Sequence, residues 1–506
     1  MTTPGDLFES VASSAAAAGS IRAVGGAADL SYSELVSVIA SGAKALSGSA
    51  SGRAAVAVEV RSRKNQWEAL LIAAAADRTS VPIDNAWPAA QLRSAVAAAG
   101  CGIVITDAPA DSRLAQVSGP SLHWQSLGDR LWAAGLAGND DVDVSDDLYV
   151  LHTSGSTGRP KGVLMPAAAA LAHAESVVDW LEITADDHVL QFASMVFDTS
   201  QEEIWPTLLA GAQLVTMDAE LPGFSRLVRT IAAARVSVLE LPTGYWRAWA
   251  AGIRNLAISL PSLRLVVIGG EAAFARDATT WRSGPLGHVR LINSYGPTEA
   301  GITTTGYEVP PEFADQSLAP LPIGFGLPSR VLRVQADDEG RDELLIGGPT
   351  LARGYLERPE ETARAFVEFE DQRFYRSGDV VQRGSGGLLT FHGRRDRQVK
   401  IRGSRVELDA VEAQLRCLQG VADAQVLAGR SVRGDTELVA LLATADGAPL
   451  AVDGVRAELG GTVADPMIPR RFYTVPKLPR TAAGKPDISW GRELAAEVFV
   501  GLDFAQ

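Results

Sequence analysis

Apolar positions along the first 145 residues fall into two alternating patterns. AAVAVEV (54–60) and GIVIT (102–106) are short continuous apolar runs, predicted strands. SYSELVSVIASGAKAL (31–46) and QWEALLIAAAA (66–76) repeat at helical spacing, and Ala73–Ala76 sits in the second as part of a buried helix. The Ala-rich residues 13–18 read only as biased composition. LYVL (148–151) and VLM (163–165) are further strands, AAAALAHAESVVDWL (167–181) a helix, and VSVLELPTGYWRAW and LRLVVIGGEAAF each a strand running into a loop or helix. Strand and helix in alternation imply an α/β layered architecture. The last hundred residues read differently, with helices at ELDAVEAQLRCL and VRAELGG and strands near DAQVLA and ELVALLA, a small α+β unit. The expected organisation is a large N-terminal domain of layered α/β subdomains (1–395) and a small C-terminal α+β domain (396–506), separated at GRRDRQVKIRGSRVE. Residues 137–147, rich in Gly, Asn and Asp, are expected to form an exposed connection.

A chain of 506 residues has ample material for a sizeable core and more than one domain. Its formal charge of −14 argues against nucleic acid or an anionic membrane as principal partner. Cys101 and Cys417 make no metal pattern and are expected to be buried reduced thiols, and the six histidines show no zinc spacing. The first twenty residues lack a basic segment followed by a sustained apolar one, so neither a signal peptide nor a membrane anchor is expected, and the expected location is cytoplasmic.

The stretch between the strands at 148–151 and 163–165 cannot build a core. Thr153, Ser154, Ser156 and Thr157 offer hydroxyls, Gly155 and Gly158 let backbone amides crowd an anion, and Lys161 adds a point charge. It reads as a polyphosphate loop, and it is not a Walker A loop because the Lys leads into a strand. In Phe197-Asp198-Thr199-Ser200 a charge lies among apolar neighbours, where it is costly unless paired; a substrate cation would suit it, and so would a helix-capping or turn role. Asn293-Ser294-Tyr295-Gly296-Pro297-Thr298-Glu299 combines an aromatic face, a hydroxyl and a hard oxygen ligand. Asp379, in Tyr375-Arg376-Ser377-Gly378-Asp379, can accept two hydroxyl groups.

TSGSTGxPKG, FDxS, NxYGPTE, the YRSGD string and the GKxD element at Lys485 occur in one order along the chain, and together they resemble the adenylate-forming (ANL) superfamily, especially the amino-acid adenylation domains of nonribosomal peptide synthetases. The sequence departs from the family pattern at His152, where an aromatic residue is common, and at Ser377, where Thr is usual. The resemblance implies ATP and Mg²⁺ as cofactors, and activation of an amino acid to aminoacyl-AMP followed by transfer to the phosphopantetheine thiol of a carrier protein. It implies that Thr153, Ser154, Gly155, Ser156, Thr157 and Gly158 with Lys161 grip phosphate, and that Gly269, Gly270 and Glu271 lie by adenine. Tyr295 would stack on adenine, Thr298 bind the α-phosphate, Glu299 hold Mg²⁺, Asp379 bind ribose, and Arg394 reach ribose or phosphate. Asp396 would be the hinge, and Lys485 would bridge substrate carboxylate and phosphate. Asp198 would pair the substrate α-ammonium, and the pocket positions carried over are Thr199, Glu202, Gly244, Val267, Gly269, Ser294, Ile302 and Thr303.

Glu202 is open to two readings: recognition of a cationic side chain, or a wall residue held by a Tyr or Trp, leaving a small neutral amino acid as substrate. The six Arg and Lys between 394 and 405 would suit a carrier domain or its pantetheine arm, or simply a solvated strand. Because the sequence ends 21 residues after Lys485, a stand-alone enzyme serving a carrier in trans is expected. The alternatives are an acyl- or aryl-CoA ligase, which would not need Asp198, and a catalytically silent homologue acting as a binding partner.

Overall fold

A computed structural model describes the chain outside residues 1, 19–21, 26–29, 48–54, 86, 88, 119–121, 137–141, 154–160, 218–221, 316–318, 337–340, 395–396, 402–403, 432–435, 445–449, 461–466, 482–485 and 505–506. The predicted elements appear with small shifts of boundary. The helix expected at 167–181 is Ala167–Leu181, and the strand around 102–106 is Cys101–Thr106. Residues 13–18, read from sequence as composition alone, complete the helix Pro4–Ala18.

Two large sheets and a smaller one form the N-terminal part. An eight-stranded sheet carries Asp147–Thr153 and Lys161–Pro166 side by side, and a nine-stranded sheet carries the strands His188–Leu190, Val238–Pro242, Leu265–Gly269 and Arg290–Tyr295, all parallel. A five-stranded antiparallel sheet contains Asp342–Gly347 and Gln372–Arg383. Beyond 397 lie a two-stranded ribbon and a four-stranded sheet with their own apolar clusters, the smaller C-terminal domain. The expected boundary at 395/396 and Asp396 itself lie outside the described residues.

Alternation along the parallel strands sorts their side chains onto two faces. Leu239, Leu241, Val266, Ile268 and Leu291 pack with Trp246, Trp249 and Trp281 on one face. Val238, Leu265, Val267 and Ile292 pack on the other with Val177 and Leu181 of Ala167–Leu181. His188–Leu190 has Gln213–Val215 on one side and Val238–Pro242 on the other, so successive connections leave it in opposite directions. Such a reversal opens a crevice at the carboxyl ends of the strands, where ligands of open α/β sheets bind. Asp198 follows one of these strands and Thr243 the other.

The expected exposed connection at 137–147 needs correction at its end. Asp147 starts a strand and is wholly buried, paired with Arg353 at 2.5 Å. Burial pushes its carboxyl up to about 6, with Arg353 opposing. Cys101 is buried as expected, but Cys417 is only half-buried, its thiol donating to Ala413 O at 2.9 Å.

Candidate active site

The phosphate loop joins two neighbouring antiparallel strands, with Thr153 directly opposite Lys161 in register. Ser154, Gly155, Ser156, Thr157 and Gly158 lie outside the described residues. Lys161 Nζ is 2.6 Å from Glu361 Oε2 and 4.9 Å from the centre of the Tyr355 ring. The Tyr355 hydroxyl donates to Glu299 Oε1 at 2.8 Å, so Lys161, Tyr355, Glu299 and Glu361 form one cluster. Glu361 and Tyr355 carried no signal as site residues; both come from a segment far downstream of the loop. His152 packs its ring edge-on to Trp87, with centroids 5.3 Å apart, and burial pushes its imidazole down to about 4. A neutral imidazole thus fills the place of an aromatic ring.

Among the residues expected at the nucleotide, the Tyr295 hydroxyl donates to Asp379 Oδ2. Asp379 is buried, and Arg394 lies opposite it in the antiparallel register. The Gly269-Gly270-Glu271 turn needs its second glycine: Gly270 has φ +82°, a conformation a side chain would strain. Glu271 Oε1 receives Arg480 Nη1 at 2.5 Å, and the other arm of Arg480 reaches Asp423 Oδ2 at 2.6 Å. Arg276 adds a bond to Arg416 O at 2.8 Å, so the small domain is docked beside this turn. Lys485 lies outside the described residues; Arg480 and Pro486, on either side of its segment, form a β-bridge.

Asp198 caps the helix Thr199–Leu209, its Oδ1 accepting from Thr199 N at 2.9 Å. The positive end of the helix dipole favours a carboxylate there. Its Oδ2 accepts from Thr298 Oγ1 at 2.5 Å. Two residues a hundred positions apart, expected at the α-ammonium and the α-phosphate respectively, therefore touch.

Glu202, one turn into the same helix, is fully enclosed. Its carboxylate accepts from Thr303 Oγ1 at 2.8 Å and Thr303 N at 3.2 Å, and lies 2.7 Å from His173 Nε2. His173 Nδ1 lies 2.7 Å from Arg330 Nη2, which also donates to Gly301 O and Thr303 O. Arginine only donates, so Nδ1 accepts and the proton facing Glu202 sits on Nε2. Burial alone would raise the Glu202 carboxyl, but the bonds from His173 and Thr303 outweigh it and hold it below the usual range. Burial lowers the Arg330 guanidinium to about 10, against the attraction of Glu202. The expectation that a Tyr or Trp would hold Glu202 is thus corrected: its partners are His173 and Thr303, with Arg330 as countercharge behind the histidine. His173 was discernible as a lone basic residue in an Ala-rich helix; Arg330 had no signal.

Val267 and Ile292 are register partners, and Gly269 lies against Ser294, where an added Cβ would come within 2.6 Å of Ser294 Oγ. Gly244 belongs to the helix Thr243–Ile253 and faces Glu271, so it stands by the Gly269-Gly270-Glu271 turn and not in the row of Val267 and Ser294. Ile302 follows Gly301, both at positive φ (61° and 78°). For a β-branched residue that conformation costs of order 1–3 kcal/mol and persists only where the surroundings enforce it.

The donor set fits a magnesium ion shared with nucleotide. Among the described residues no group of three His, Cys, Asp or Glu could hold a metal. Glu299 supplies one hard oxygen site, and Mg²⁺ is commonly bound by one or two carboxylates together with substrate phosphates. No helix among the described residues is long and apolar enough to cross a membrane.

Residues 11–356 match the AMP-binding enzyme family. The isonitrile lipopeptide synthase of Streptomyces coeruleorubidus is 39% identical over 364 residues, 70% of this chain and 24% of that protein. Novobiocin biosynthesis protein H of Streptomyces niveus is 35% identical over 371 residues, 69% of this chain and 59% of that protein. The chain thus spans less than two thirds of the length of either relative. Among solved structures, Klebsiella oxytoca NpsA in complex with 3-hydroxyanthranilyl-AMSN superposes with a TM-score of 0.79 at 23% identity, covering 98% of this chain and 99% of that one. A four-domain nonribosomal peptide synthetase bound to AMP and glycine superposes with a TM-score of 0.78 at 27% identity, covering 96% of this chain and 36% of that one. With its fold, its motif order and this match, the chain belongs to the AMP-binding enzymes, which use ATP with Mg²⁺.

Proposed function

We propose that the chain activates an α-amino acid as its aminoacyl-AMP and passes it to the phosphopantetheine thiol of a carrier protein. The observation that carries this reading is the contact between Asp198 and Thr298, 2.5 Å apart. An α-ammonium on Asp198 sets the neighbouring substrate carboxylate next to the hydroxyl expected at the α-phosphate, and that carboxylate is the nucleophile. No covalent enzyme intermediate is required; placement and charge stabilisation supply the acceleration. Lys161 and Thr298 would bind the phosphates, and the hydroxyl of Tyr295 with Asp379 would position the nucleoside. Mg²⁺ on Glu299 would neutralise phosphate charge. Lys485 would reach the developing charge as the lid closes, and rotation of residues 396–506 about Asp396 would then exchange Lys485 for the carrier thiol. The ties of Arg480 and Arg276 across the domains are consistent with a lid that docks beside the nucleotide turn.

Transfer to a carrier is supported by relatives that include nonribosomal peptide synthetases. The aryl- or acyl-activating alternative leaves Asp198, half-buried in the crevice, without a role in substrate binding. The test is exchange of labelled pyrophosphate into ATP, driven by α-amino acids or by aryl and acyl acids. Exchange with an α-amino acid is expected; exchange confined to acids lacking the α-amine would overturn the reading. Loading of an isolated phosphopantetheinylated carrier protein tests the second half-reaction.

A further inference from the structure

Four carboxylates meet at the carboxyl ends of the parallel strands, and three of them are answered within the protein. Asp198 has Thr298 and Thr199, and Glu202 has His173 and Thr303. Glu203 accepts from Phe192 N at 3.1 Å and from Ala193 N at 3.0 Å; burial nonetheless pushes it up to about 8. The fourth, Glu240, is 5% exposed and has no hydrogen bond or ion pair to any described residue. It is the single charged residue of the strand Val238–Pro242, whose Leu239 and Leu241 fill the opposite face. Burial first, then the charges of Glu202, Glu203 and Asp198, drive its carboxyl well above the usual range.

Register fixes where Glu240 points. It pairs with Val267, which pairs with Ile292; one step nearer the strand ends, Pro242 pairs with Gly269, which lies against Ser294. Registered residues of parallel strands share a face, so Glu240, Val267, Gly269 and Ser294 line one surface. The fields of Asp198 and Glu202 reach Glu240 from the helix Thr199–Leu209. A buried carboxyl left without a partner costs free energy that a matching cation recovers.

We propose that Glu240 receives the positive charge at the end of the substrate side chain, so that the amino acid activated is a basic one. This rests on the assignment of Asp198 to the α-ammonium: the substrate would lie with one ammonium on Asp198 and the second cationic group on Glu240. Gly269, packed against Ser294, keeps the floor between them low. Glu202, neutralised through His173 by Arg330, forms the wall. The selectivity that Glu202 could have been expected to supply therefore falls to Glu240.

The test uses the full chain in pyrophosphate exchange with lysine, ornithine and arginine, with their neutral counterparts norleucine and norvaline, and with alanine, for the wild type and for Glu240→Gln. A basic amino acid should exceed its neutral counterpart in kcat/KM by roughly 10²-fold or more, since a site built around a polar group rejects analogues lacking its partner. Glu240→Gln should abolish most of that preference while leaving the KM for ATP unchanged. Wild-type exchange that is as fast with norleucine or alanine as with every basic amino acid overturns the proposal and leaves amino-acid activation standing, whether or not the variant folds. Preference for a basic amino acid that survives Glu240→Gln overturns it too. Exchange only with acids lacking an α-amine overturns both readings.

Discussion

On the side of the crevice proposed for the nucleotide, the candidate groups are also close in sequence: Tyr295, Thr298 and Glu299 fall within five residues at the end of one strand. In the proposed side-chain pocket, Glu240, Val267 and Ser294 come from three parallel strands, and Glu202 from the helix Thr199–Leu209, which precedes all three in the chain. The first region is a string and the second a lattice row. A string can be read without the fold. A row requires the register of each strand, and an error of a few residues moves the reading to another wall, as happened with Gly244, which faces Glu271. The two regions also differ in how they hold charge. Lys161 and Glu361, on the side proposed for phosphate, are partly exposed partners, open to displacement by the polyphosphate of our proposal. Glu202 and Glu240 are buried, and each needs a fixed answer, from the protein in one case and, on our proposal, from the substrate in the other.

The comparison of Glu202 with Glu240 is tested first by the largest expected effect. Glu202→Ala should destabilise the protein by about 3–5 kcal/mol, because it leaves His173 and Arg330 buried without their carboxylate. Urea unfolding measures this. A stable Glu202→Ala enzyme with altered side-chain preference would break the distinction.

Next is Asp198→Asn, which removes the proposed α-ammonium partner and should lower kcat/KM for the amino acid about 10²- to 10³-fold with little change in the KM for ATP. Steady-state exchange kinetics with each substrate varied in turn separate the two. Loss confined to ATP binding would place Asp198 on the nucleotide side.

Asp379→Asn should do the reverse, raising the KM for ATP roughly 10- to 10²-fold through weakened charge-assisted bonds to the ribose, with side-chain preference untouched.

The smallest effect concerns His152. Its folded value is depressed from 6.5 to about 4, so the stability it contributes is full above 6.5 and is lost as pH falls from there through 4. His152→Phe should flatten this dependence by about 1–2 kcal/mol, after allowance for its partial contact with solvent. Thermal unfolding of both proteins between pH 4 and 7 reads it out; identical profiles would show that the imidazole is not held neutral.

The sequence carried much of the fold because its apolar runs are clean. Leu265–Gly269 and Ala167–Leu181 follow directly from their patterns. Thr298 and Asp379, proposed here for the nucleotide, could be singled out without the fold because they sit in short strings with few alternative uses. What it did not carry depends on distant segments meeting. Arg330 reaches His173 across 157 residues, and Tyr355 reaches Glu299 across 56. Glu240 was visible as a lone charge in VLELP, yet only the pairing with Val267 turns that charge toward the pocket. Asp147 misled for the opposite reason, since an Asp-rich stretch reads as exposed until its last member is found beneath Arg353.

The most direct measurement compares pyrophosphate exchange driven by α-amino acids and by the same acids without the α-amine, lysine against 6-aminohexanoate and ornithine against 5-aminopentanoate. If Asp198 holds an α-ammonium, at least one α-amino acid of the panel drives exchange and its desamino counterpart falls by about 10²-fold or more. Equal exchange by an acid and its desamino counterpart would contradict the account.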